Sequence, residues 1–140
     1  MRHLPPAEHP AFYCSSRLTL NVTRRAMAEM GYCPSGRLFE AAACGVPILT
    51  DAWEGLDHFY APETEILVAR GTDDVVAAMS LSAEALQGIA RAARERTLDE
   101  HSASRRARDL EEAIDVARTA GFDRGTPRPA PESSATLSGA

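Results

Sequence analysis

The sequence predicts an α/β fold, a parallel sheet with helices flanking it. Two observations carry that expectation. Short strand-like runs at 18–23, 46–50 and 65–69 alternate along the chain with stretches of helical periodicity, the order expected when each strand is followed by a crossover helix. Between a helical stretch and an apolar one stand Gly45 and Pro47. Glycine suits the left-handed residue that ends a helix, and proline prevents the helix from continuing. At 140 residues the chain has room for one domain with a modest core.

Taken in order, residues 1–11 hold three prolines in a mixed polar and apolar stretch and read as an irregular lead-in. Leu18, Leu20 and Val22 alternate with Thr19, Asn21 and Thr23, a strand pattern. Arg24 to Met30 reads as a short helix ended by Gly31, and Pro34 and Ser35 open the next, which runs to about Cys44. Val46 to Thr50 is a short apolar strand. Trp53 to Tyr60 is a loop with room for one helical turn, and Glu65 to Ala69 is a third strand. Thr72 is the expected cap of a helix whose first turn carries Asp73 and Asp74, acids that suit its positive end. Val75, Val76 and Met79 are the expected buried side of that helix. Ser82 caps the next, with Leu86, Ile89, Ala90 and Ala93 inward. Ser102 caps the last, where Ala107, Leu110, Ile114 and Ala117 fall at helical spacing and Gly121 ends the run. Residues 1–122 are thus one domain. From Asp123 onward prolines, glycines and Ser/Thr leave little to bury, and residues 123–140 are expected to be a disordered tail.

Composition narrows the function classes. A net charge of −5 gives no broad basic footprint for nucleic acid. All 15 basic residues are arginine, a bias attributed to the codons of a GC-rich genome. Cys14, Cys33 and Cys44 are odd in number and widely spaced, which predicts neither a disulfide framework nor a zinc knuckle. His3, His9, His58 and His101 do not share metal-ligand spacing, so no metal site is expected. No run approaches the roughly 18 apolar residues of a membrane span, and no signal peptide is read at the N-terminus. The expectation is a cytoplasmic, bacterial protein.

The chemistry concentrates at Ser35-Gly36-Arg37-Leu38-Phe39-Glu40. Small residues ahead of a helix leave backbone N–H groups free to hold an anion. Ser35 and Gly36 suit a phosphate, and Arg37 can pair with it bidentately. Glu40, taken as lying on the first turn of the helix, can accept ribose hydroxyls; its plainer role would be to complement the helix dipole. Asn21, at a strand's carboxyl end, and Asp51, just past the next strand and able either to reach a ligand or to cap the next turn, complete the candidate set for a nucleotide-sugar ligand. In parallel sheets ligands bind beyond the carboxyl ends of the strands, and the loops after Thr23 and Thr50 belong to that edge. Trp53 reads as a core anchor, and His58 is given no catalytic role. No catalytic residue is assigned.

The run Ser35-Gly36-Arg37-Leu38-Phe39-Glu40 followed by Ala43-Cys44-Gly45-Val46-Pro47 resembles the donor-binding segment of GT-B glycosyltransferases, in particular the bacterial CgeB/YkvP-like group. Leu18 to Arg24, Trp53 to Asp57 and Pro62 to Val68 extend the likeness, which covers roughly residues 3–118. It implies a partial Rossmann-like sheet, the later portion of a GT-B C-terminal domain, with a nucleotide-diphosphate sugar as donor substrate and no further cofactor. In the wider family two glutamates eight positions apart serve the donor, and the second contacts the ribose. Glu40 matches the second, whereas Tyr32 stands at the first. The resemblance also implies a missing acceptor-binding N-terminal domain, so that partners are the nucleotide sugar and either a separate N-terminal domain or a second copy of the chain. A non-catalytic truncated nucleotide-binding or protein-interaction module is the alternative. A phosphoacceptor α/β domain is disfavoured, because its acidic cluster and its lysine are lacking.

Overall fold

The run Val46 to Asp51 becomes the middle strand of the sheet because it is apolar enough to be covered on both sides. The computed structural model describes residues 4–120, and three parallel strands lie in the order β1 (Thr19–Asn21), β2 (Ile48–Asp51) and β3 (Leu67–Ala69). Leu20 pairs with Leu49, and Thr50 with Val68. The helices are α1 (His9–Cys14), α2 (Arg25–Met30), α3 (Gly36–Ala43), α4 (Thr72–Ser80), α5 (Ala83–Glu100) and α6 (Ala103–Thr119). The predicted α/β class and the parallel sheet are both present, and the three strands give a partial Rossmann-like arrangement. The chain divides into one unit ending at Arg106 and another beginning at Ala107. The expected end at Gly121 and the expected tail at 123–140 lie outside the described residues.

Each face of β2 has its own apolar cluster, as a buried parallel strand requires. On one face Leu38, Ala41 and Ala42 of α3 pack with Val46, Ile48, Trp53, Tyr60, Ile66, Val68 and Ala93. On the other, Leu49 and Leu67 meet Ala78 of α4 and Leu86 of α5. α5 supplies residues to both, its Leu86, Ala90 and Ala93 being buried as the spacing predicts. Ser82 caps this helix by accepting from the Ala85 N–H at 3.1 Å.

Several expectations are corrected. The N-terminal segment is not irregular: a 3₁₀ turn at Pro6–Glu8 leads into α1. Pro10 lies in the first turn of that helix, where a missing N–H costs nothing, and Tyr13 anchors the helix in the core at 6% exposure. In β1 the polar residues face inward: Thr19 and Asn21 are buried while Leu20 is exposed. In α4 only Ala78 is buried, and Val76 and Met79 are exposed, because the helix packs mainly against the edge strand β3. Its cap is Gly71 rather than Thr72, with Asp74 accepting from the Arg70 N–H at 2.7 Å. No residue of α6 is buried, so the stripe from Ala107 to Ala117 is not an inward face of the core.

Candidate functional site

Ser35 precedes α3 in extended conformation, yet its side chain does not cap the helix. The hydroxyl instead donates to Asn21 Oδ1 at 2.8 Å. Asn21 passes the connection on, donating from Nδ2 to Thr50 Oγ1 at 3.0 Å, and Thr50 donates to Asp51 Oδ1 at 3.3 Å. That same carboxylate oxygen accepts from the backbone N–H and hydroxyl of Thr23, at 2.9 and 2.8 Å. A continuous polar chain therefore runs along the carboxyl ends of β1 and β2 and ends at the first turn of α3. Asn21 and Thr50 are 1% and 0% exposed, so their pairing is obligatory: a buried polar group without a partner costs about 1–3 kcal/mol.

The first turn of α3 is left open by this arrangement. Gly36 and Arg37 are exposed, and the Ser35 side chain competes for none of the first N–H groups. Arg37 makes no hydrogen bond or ion pair with another described residue. Open N–H groups, the helix dipole and a guanidinium with no partner among the described residues are features that can hold an anion.

Glu40 is the fifth residue of α3, not part of its first turn. The dipole effect falls off within that turn, which weakens the plainer reading of this acid. Its carboxylate, half-exposed, accepts at Oε2 from the Tyr13 hydroxyl at 3.2 Å and lies 3.4 Å from His9 Nδ1. Burial, then the Glu40 charge and hydrogen bond, push the Tyr13 phenol above its usual value, partly opposed by Arg37.

The loop before α3 is clasped to the loop after β2. Tyr32 adopts φ 49° and donates its backbone N–H to the Glu54 carbonyl at 2.7 Å. Its ring lies on Gly55, where a Cβ would stand 2.4 Å from Tyr32 Cδ1, and meets His58 edge-on at 5.1 Å. Trp53 is buried in the core cluster, as expected of an anchor. An apolar groove of about 460 Å³, lined by Leu18, Leu20, Leu49, Val75 and Met79 among others, lies on the other face of the sheet. Leu20 points opposite to Asn21 there, so the groove is separate from the polar edge.

Of the residues singled out in the sequence, Ser35, Asn21 and Asp51 thus share one hydrogen-bonded chain, and Gly36, Arg37 and Glu40 lie along the first five positions of the helix that follows. A family model described as glycosyl transferase-like matches residues 1–112. The chain belongs to that family. No curated protein and no solved structure matches it. For a glycosyltransferase-family domain, glycosyl transfer is the general function, and its parallel sheet presents the candidate residues at the carboxyl edge where α/β domains take ligands. Among the described residues no helix is long and apolar enough to cross a membrane, and no group of three His, Cys, Asp or Glu side chains is placed to hold a metal ion. Sequence reasoning did not find Tyr13 and His9 as partners of Glu40. They lie 27 and 31 positions away, His9 within the segment read as irregular and Tyr13 just beyond it, with no periodic signal to mark them.

Proposed function

We propose that this glycosyltransferase-family domain binds a nucleotide-diphosphate sugar as donor, in the manner of the CgeB/YkvP-like GT-B group. The observation that carries the reading is the open first turn of α3, uncapped by Ser35 and flanked by Arg37, which has no side-chain partner among the described residues. The diphosphate lies at this turn. Backbone N–H groups and the Arg37 guanidinium balance the charge that develops on the leaving diphosphate as the sugar departs. Glu40 accepts ribose hydroxyls one turn further along. Asn21 and Asp51 serve the site by holding Ser35 and Thr23 in place. Transfer to an acceptor hydroxyl or amine requires a second wall opposite this edge, supplied by an acceptor-binding domain.

Calorimetric titration of the folded chain with UDP, GDP and their sugar conjugates tests the reading. Saturable binding is expected, and Glu40→Ala is expected to weaken it about tenfold to a hundredfold, the scale of a hydrogen bond to a charged group. Absence of binding by a chain that melts cooperatively would sink the donor assignment and favour an interaction module.

A further inference from the structure

The two oxygens of Glu40 are not equivalent. Oε2 accepts from the Tyr13 hydroxyl, and His9 Nδ1 lies 3.4 Å from it. Oε1 has no hydrogen-bond partner among the described residues and faces the start of α3, since a Cβ on Gly36 would stand 4.0 Å from it. The groups that hold Oε2 are themselves fixed. The Tyr13 ring is buried in the core cluster with Leu38, Ala41 and Ala42 of α3, and the phenol therefore approaches Glu40 from a rigid base. His9 lies between two acceptors, with Nε2 3.3 Å from the Leu4 carbonyl oxygen, and holds both only as the doubly protonated imidazolium. At the far end of α1, Cys14 Sγ lies 3.7 Å from the Cys44 carbonyl oxygen just beyond α3. α1 is thus fastened along α3 at both ends, with Glu40 beneath it.

We propose that Tyr13 and His9 are positioning residues for Glu40: by engaging Oε2 they turn Oε1 toward the first turn of α3, where it accepts a ribose hydroxyl and selects ribonucleotide donors over those lacking the hydroxyls. The proposal rests on the donor reading above. A half-exposed glutamate otherwise samples several rotamers, and fixing it beforehand removes that ordering cost from ligand binding. The raised phenol of Tyr13 agrees with a hydroxyl that stays protonated and donates.

The test is calorimetry on the full chain with UDP, GDP and ADP, and with the 2′,3′-dideoxy counterpart of each one that binds. Tyr13→Phe keeps the buried ring and removes only the donor. It is expected to lower ribonucleotide affinity about threefold to tenfold with the dideoxy affinity unchanged, and to have no further effect once Glu40→Ala is present. His9→Ala, at a more exposed position, is expected to reduce the ribo-to-dideoxy ratio in the same direction and keeps the proposal open to refutation if Tyr13→Phe melts early. An unchanged ratio in both variants, or an equal loss for both ligands, overturns the positioning role while leaving the donor site standing. An unchanged ratio in Glu40→Ala removes ribose recognition from Glu40 and the proposal with it. No nucleotide binding by the folded wild-type chain overturns the donor reading itself, and the proposal falls with it.

Discussion

Tyr60 is completely shielded from solvent and shares a hydrogen bond of 2.8 Å with Thr97 on α5. Burial pushes its phenol up to about 12, the Thr97 bond offsetting only part of that. A phenol raised above its unfolded value of about 10 contributes stability that is complete below pH 10 and is lost as pH rises through about 12. A shift of this size corresponds to roughly 2–3 kcal/mol. Denaturant midpoints measured from pH 8 to 11.5 are therefore expected to fall steeply above pH 10. In Tyr60→Phe that fall should be shallower, against a loss of about 1 kcal/mol at pH 8; an identical slope in the variant would show that other groups drive alkaline unfolding. Residue identity was legible in the sequence wherever the chemistry is local. Ser35, Gly36, Arg37 and Glu40 stand within six positions, and their spacing alone places them along one helix start. Asn21 was legible as a strand-end residue, but not as the link between Ser35 and Thr50, because that pairing joins three elements distant in sequence.

At the level of elements, the approach to α3 is set by two loops that interlock through a missing side chain. Tyr32 holds a left-handed conformation that costs a non-glycine residue on the order of 1 kcal/mol, and its ring occupies the space a Cβ on Gly55 would need. Gly55 itself sits at φ 88°, which favours glycine independently of space. Gly55→Ala is therefore expected to destabilise the chain by about 2–3 kcal/mol, read from thermal or denaturant melts. Adding Tyr32→Ala should recover the steric part and leave the cost of the backbone conformation. A Gly55→Ala chain of wild-type stability would refute the clasp. Neither strain nor contact is visible in the sequence, which marks Gly55 only as a loop residue. The same limit explains β1 and α4. Alternation at 18–23 gives a strand, but which face is inward depends on neighbours, and here the polar face is buried because it meets Ser35 and Thr50. For α4, helical spacing gives a stripe, but an edge strand offers only enough cover for Ala78.

Across the whole molecule, the buried side chains of the described residues fall between Tyr13 and Thr97, and the residues beyond Arg106 form a separate unit. Both outer strands of so small a sheet leave backbone groups available for pairing. α6 carries Leu110, Ile114 and Val116 exposed, although the spacing of Leu110 and Ile114 resembles a core stripe; periodicity reports an apolar face and says nothing about whether a partner surface covers it. The aromatic packing nearest to α6 in sequence, His101 against Phe39, Phe59 and Tyr60, and its 2.9 Å hydrogen bond to the Phe59 carbonyl oxygen, all precede Arg106. A chain ending at Arg106 retains every one of these contacts together with the whole polar edge from Ser35 to Thr23. It is expected to unfold cooperatively within about 3 °C of the full chain, a shift corresponding to well under 1–2 kcal/mol for a domain of this size, and to keep its affinity for a nucleoside diphosphate. A truncated chain that loses its cooperative melt would show that the helix supports the core after all; one that melts normally but loses nucleotide affinity would place part of the donor site on residues beyond Arg106.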